Sequence, residues 1–209
     1  MTTPANAMSP PSPINIWLVR HAQPVVEPGV CYGAMDVAAD DVATKLAARA
    51  LADVLPQGCQ VRVSTLQRCE QLAQAVCGLR PDLMPKPEPR LVEMNFGAWE
   101  GQRWADINRT ELDAWTADFA HWRCGGSGGT GGGGECVQDF MQRVATVWDE
   151  CLENARLTAP STPVVWITHA GVIRAANLLA AGQRQVLNAR YWPEAAPAFG
   201  AWQRLESVG

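Results

Sequence analysis

The stretch INIWLVRHAQPV, residues 14–25, decides the fold. Five of the six residues from Ile14 to Val19 are apolar, a run too short for a helix and rich in β-branched and bulky groups, which predicts a buried strand. The run stops abruptly in Arg20 and His21. Two further runs have the same character, Gln60 to Val63 and Pro163 to Thr168 (PVVWIT).

Helical spacing separates these strands. In DDVATKLAARALADVL, residues 40–55, Val42, Leu46, Ala50 and Val54 recur every four positions with Leu51 and Leu55 beside them, which predicts one apolar helix face. After Val63, Ser64 and Thr65 are N-cap candidates for a helix through LQRCEQLAQAVCGL that stops at Gly78 and Pro81. Further helices are predicted from Val137 to about Leu157 and from Val172 to Leu179. Strands alternating with helices imply an α/β fold, a three-layer α/β/α sandwich around a mostly parallel sheet. Ligands of such sheets sit beyond the carboxyl ends of the strands. Arg20 and His21, Ser64, and Thr168 and His169 all stand at such ends.

Composition narrows the function classes. The 209 residues, 47% hydrophobic and 18% charged, suit one soluble domain over residues 14–209. The net charge of -4, with no block of lysine or arginine, gives no basis for a nucleic-acid or anionic-membrane surface. No apolar run approaches the roughly 20 residues that span a bilayer. The seven cysteines are scattered singly, without a CxxC pair, which argues against a zinc ribbon or a disulfide framework and for a reduced, cytoplasmic setting. MTTPANAMSPPSP, residues 1–13, reads as a disordered leader and not as a signal peptide. The glycine-rich CGGSGGTGGGGEC, residues 124–136, lacks the GK[ST] ending of a phosphate loop and reads as a flexible surface loop over 125–134, with GGEC approaching the site as the next helix begins.

Two of the three histidines follow apolar strands, in WLVRHA and VWITHAG, whereas His121 in AWTADFAHW reads as structural. Phosphoryl transfer needs an in-line nucleophile and cations around the equatorial oxygens. A neutral imidazole serves as the first, and guanidinium forks on Arg20 and Arg68 suit the second. The leaving oxygen needs a proton, for which RLVEMNFGAWEG, residues 90–101, offers Glu93 and Glu100 among apolar neighbours. Residue chemistry alone does not choose between them.

RHAQP, STLQRCEQLA, LVEMNFGAWEG and THAG, in this order, resemble the histidine phosphatase superfamily, also called the phosphoglycerate mutase-like family. The resemblance implies that His21 is the phosphorylated nucleophile, that Arg20, Arg68 and His169 form the phosphate pocket, and that Glu93 is the proton donor, leaving Glu100 a supporting role. It adds Gln23, Tyr32 and Gly33 as substrate or phosphate contacts, and it implies a metal-independent enzyme without a cofactor. GVCYGAMDV, residues 29–37, with FGAWEG and GGEC, is similar to the α-ribazole phosphatases, which remove the 5′-phosphate from α-ribazole phosphate in cobalamin nucleotide-loop assembly. Phosphoglycerate mutase-type transfer and a catalytically inactive phosphate-binding protein are the alternatives. Family members usually carry glycine after the histidine and a hydroxyl residue two places later, where this chain has Ala22 and Pro24. If position 22 requires φ > 0, the alanine is strained. Pro24 removes a hydroxyl and an N–H donor.

Overall fold

The computed structural model describes residues 14–125, 133–157 and 162–207. The expected leader, 1–13, and the middle of the glycine-rich segment lie outside the described residues. Five strands, β1 (Ile14–Arg20), β2 (Gln60–Val63), β3 (Pro85–Pro87), β4 (Val164–Thr168) and β5 (Trp202–Ser207), form one sheet in the order β3-β2-β4-β1-β5. β1, β2, β3 and β4 run parallel, and β5 closes the edge antiparallel to β1. The α-helices are α1 (Asp41–Val54), α2 (Gln67–Leu79), α3 (Arg109–Ala117), α4 (Val137–Leu157) and α5 (Ala170–Ala180). The architecture is the expected three-layer α/β/α sandwich.

The apolar runs are continuous because both faces of the sheet are covered. Ile16 and Leu18 of β1, with Val164 and Trp166 of β4, pack with α4 and α5. The alternate residues Trp17, Val19, Val165 and Ile167 pack with α1 and α2. Leu18, Val165 and Trp166 have no exposed surface, and each such burial contributes about 1.5–3 kcal/mol. Six cysteines are buried and Cys77 is half-buried, all with free thiols, as small apolar residues would be. No helix among the described residues is long and apolar enough to cross a membrane.

Two local expectations are corrected. The buried face of α1 is Thr44, Ala48 and Leu51, continued by Leu55, whereas Val42 and Leu46 are 66% and 60% exposed and Val54 and Ala50 are also exposed. The helix meets the sheet through the stripe of Thr44, Ala48, Leu51 and Leu55, which leaves Val42, Leu46 and Val54 on the outer side. The N-cap of α2 is Leu66, which has no polar side chain to cap with, and the Ser64 hydroxyl accepts from Leu66 N at 3.4 Å while facing His169. Away from the strand ends, Arg62, Arg90, Glu88 and Glu150 form an ion-pair network that ties β2 to α4, with Arg90 and Glu150 2.5 Å apart. Hydrogen bonds from Arg90 and then Arg62 hold the Glu150 carboxyl down to about 2.

Candidate active site

Strand register assembles the site. β1 and β4 are parallel neighbours with Arg20 opposite Thr168, so the residues that follow, His21 and His169, emerge side by side with ring centroids 5.1 Å apart. Val63 of β2 lies opposite Ile167, which brings Ser64 to the same edge. Ser64 Oγ is 2.7 Å from His169 Nε2.

The hydrogen bonds fix both tautomers. His21 Nδ1 lies 2.7 Å from the Ala22 carbonyl, which only accepts, so Nδ1 carries the proton and Nε2 keeps a lone pair. Burial, then the Arg68 and Arg20 charges, against the Ala22 bond, push the His21 pKa down to about 3. Arg68 Nε donates to His169 Nδ1 at 3.2 Å, which makes Nδ1 the acceptor and places the His169 proton on Nε2, toward Ser64. Burial first, and Arg68 next, hold His169 well below the ordinary imidazole range. Two neutral imidazoles therefore face one another across the strand ends.

Arg68 is fully buried in the first turn of α2. Its Nη1 donates to the Met35 carbonyl and its Nη2 to the Gly33 carbonyl, each at 2.7 Å, which fastens the 29–37 loop to the site. Of its five N–H groups, these bonds and the one to His169 use three. Gly33 is required by space, because a Cβ there would strike the Met94 carbonyl oxygen, the Glu100 carboxylate and the Phe96 ring. Glu100 Oε1 accepts from Ala34 N at 2.8 Å and Phe96 N at 2.9 Å, so it joins two loops and does not reach the histidines through any hydrogen bond.

Arg20 donates from Nη1 to the Pro197 carbonyl at 2.9 Å, and its Cζ lies 3.8 Å from the Phe199 ring centroid. Its Nε is enclosed without an acceptor among the described residues. Phe199 also packs 5.5 Å from the His21 ring. The 197–199 segment thus orients the Arg-His pair by cation–π contact. Sequence reasoning missed it, since a lone phenylalanine in a proline-rich stretch carries no periodic signal.

Glu93 reaches the site from the loop after β3. Oε1 accepts from Met94 N at 3.0 Å, and Oε2 accepts from Gly171 N, in the first turn of α5, at 2.9 Å. A Cβ at position 171 would overlap this carboxylate, which explains the glycine of THAG. Arg143 of α4 donates to the carbonyls of Arg90, Val92 and Glu93, and Glu135 grips Arg143 at 2.6 and 2.9 Å. GGEC accordingly reaches the site indirectly, by fixing the backbone that carries Glu93.

Tyr32 and Gly33 line a cavity of about 500 Å³ together with Arg20, Glu93, Gly171 and Arg174. One wall is aromatic, with Trp104, Phe96, Trp115, Phe119, Trp192 and Phe140 in successive ring contact at 5.2–6.3 Å. His21, Arg68 and His169 are buried at the strand ends behind this lining, whereas Gln23 is exposed, with its Nε2 3.5 Å from the adjacent Pro24 carbonyl, and does not line the cavity. His121 is exposed and away from the cavity lining. No described non-glycine residue has positive φ, so Ala22 carries no such strain. Pro24 is buried and bridges Ala39, where it fills space.

The shifted imidazoles make stability pH-dependent. An unfolded histidine titrates near 6.5, whereas folded His21 titrates near 3. Between these values the unfolded chain binds a proton that the folded chain refuses. The contribution is therefore complete above about 6.5 and fades as pH falls toward 3, by on the order of a few kcal/mol. His169 acts in the same direction, and Glu150 adds a loss between 4.5 and about 2. Calorimetry is expected to show the thermal midpoint falling steadily from about pH 6.5 to about pH 4. A flat midpoint over that range would contradict the buried neutral pair.

A family model described as the histidine phosphatase superfamily (branch 1) matches residues 16–193. Among solved structures, a protein from Escherichia coli str. K-12 substr. MG1655, provisionally assigned as an alpha-ribazole-5'-P phosphatase, superposes with a TM-score of 0.74 at 22% identity, over 92% of this chain and 90% of that one. A mycobacterial glucosyl-3-phosphoglycerate phosphatase, solved with inorganic phosphate, superposes with a TM-score of 0.70 at 24% identity, over 91% of this chain and 88% of that one. At these identities the likeness shows the fold. No curated protein sequence matches the chain significantly.

Proposed function

Because the chain belongs to the histidine phosphatase superfamily (branch 1), we propose that it hydrolyses a small phosphomonoester through a phosphohistidine intermediate, with α-ribazole 5′-phosphate as the substrate to test first. The observation that carries the reading is the bond from His21 Nδ1 to the Ala22 carbonyl, which leaves Nε2 as a neutral nucleophile at any pH well above about 3.

In the first step His21 Nε2 attacks phosphorus, the bond to the ester oxygen breaks, and Glu93 gives its proton to the departing alkoxide. In the second, water attacks the phosphohistidine, Glu93 takes a proton from that water, and His21 leaves as a neutral imidazole. Arg20 presents its guanidinium to the phosphoryl oxygens, and Arg68 contributes the N–H groups that its carbonyl partners leave free. His169 turns its Nε2–H from Ser64 to a phosphoryl oxygen as substrate enters. These fixed donors stabilise the transferring group without reorganisation.

No step calls for a metal. A chelator is expected to leave the rate within about twofold, since the guanidiniums supply the charge that a divalent ion would; a rate abolished by chelation and restored by a metal would contradict the scheme. The α-ribazole assignment is supported by GVCYGAMDV, by the likeness to the Escherichia coli protein, and by an aromatic wall suited to a flat ring. Phosphate release measured over α-ribazole 5′-phosphate, sugar phosphates and phosphoglycerates tests it. Preference for phosphoglycerates, or isomerisation in place of release, would replace it with a different substrate or with mutase chemistry.

A further inference from the structure

We infer that Arg174 is a specificity-determining residue that donates hydrogen bonds to neutral oxygen acceptors, the hydroxyl or ring oxygens of a sugar, between the phosphoester and the remainder of the substrate. The inference rests on the phosphatase reading above.

Arg174 lies in α5, one turn beyond the Gly171 amide that holds Glu93, and its side chain lines the same cavity as Arg20 and Glu93. Its Nη2 donates to the Glu194 carbonyl at 2.8 Å, and its Nε is enclosed without an acceptor. No carboxylate among the described residues forms an ion pair with it. The guanidinium is half-buried, but its enclosed Nε, a donor without an acceptor among the described residues, is costly to leave unpaired, and that cost is offset when a ligand supplies the acceptor.

Position selects the part of the substrate it meets. Glu93 is near enough to act on the Arg174 charge, which places the guanidinium beside the reacting end. The bond to Glu194, two residues beyond Trp192, places it beside the aromatic wall. Arg174 therefore bridges the two. The phosphoryl charge is met by Arg20 in the same lining, so the oxygens that fall to Arg174 are the neutral ones of the alcohol portion. Trp115 Nε1, another enclosed donor without an acceptor in the same lining, offers a further contact toward the aromatic wall.

Steady-state kinetics of Arg174→Met and Arg174→Lys on α-ribazole 5′-phosphate, ribose 5-phosphate and phenyl phosphate test this, because phenyl phosphate has no acceptor between its phosphoester and its ring. Arg174→Met is expected to raise KM for the sugar esters roughly tenfold or more, with kcat and the phenyl phosphate KM changed by less than about twofold. Arg174→Lys is expected to recover part of the loss, since it keeps one charged donor. An equal loss on all three esters, no loss on the sugar esters, or a wild-type preference for phenyl phosphate overturns the inference while leaving the phosphatase reading intact. A wild-type protein that releases phosphate from none of them overturns both.

Discussion

Replacing His21 with alanine is expected to lower phosphate release by on the order of 10⁴-fold or more, the scale on which removal of a covalent nucleophile acts. The side chain is 1% exposed and packs on His169 and Phe199, so its loss also leaves a small cavity. His21→Asn separates the two effects. Its side-chain amide can donate to the Ala22 carbonyl as Nδ1 does, without offering a nucleophilic ring nitrogen. A thermal midpoint near that of the wild type with the same loss of rate assigns the effect to chemistry; appreciable turnover by either variant would contradict the nucleophile.

Glu93→Gln carries the second large effect, about 10²–10⁴-fold on esters of ordinary alcohols, which need a proton on the leaving oxygen. Both carboxylate oxygens accept from backbone N–H groups, so the glutamine must turn its NH₂ toward Met94 N or Gly171 N and lose one bond, at about 1 kcal/mol. The diagnostic is leaving-group dependence. With p-nitrophenyl phosphate, whose phenolate leaves unaided, the first step is expected to survive while water attack slows, giving a burst of nitrophenolate as the phosphohistidine accumulates. A uniform loss on alkyl and nitrophenyl esters, with no burst, would move Glu93 from proton transfer to a positioning role.

Much of this site is legible in the sequence. Parallel strands deliver their carboxyl ends to one edge, so the polar residues closing INIWLVRH and VVWITH had to meet, and Ser64 with them. Glu93 was not separable from Glu100 by residue chemistry, and only the family resemblance chose; the loop geometry shows Glu100 holding Ala34 and Phe96. Ser64 reads locally as a cap, yet its hydroxyl serves a histidine more than a hundred residues away, a long-range partner that local pattern cannot reveal. Arg174 and Phe199 escaped for the same reason: each matters through a surface that exists only after folding. On α1 the four-residue spacing of Val42, Leu46 and Val54 picked the outer stripe, because the contact with the sheet is made through Thr44, Ala48 and Leu51. β5 carries polar residues between Trp202 and Leu205 and pairs along one edge only, so it lacks the continuous apolar run that marks β1 and β4.

The most direct measurement is the fate of the phosphoryl group during turnover. Rapid quenching in alkali during hydrolysis of a phosphomonoester, followed by mass spectrometry and ³¹P NMR, is expected to find an acid-labile phosphoryl group on His21, attached at Nε2 because Nδ1 is committed to the Ala22 carbonyl. Phosphate released with no adduct under conditions where Glu93→Gln should accumulate it, or an adduct on another residue, would contradict the account.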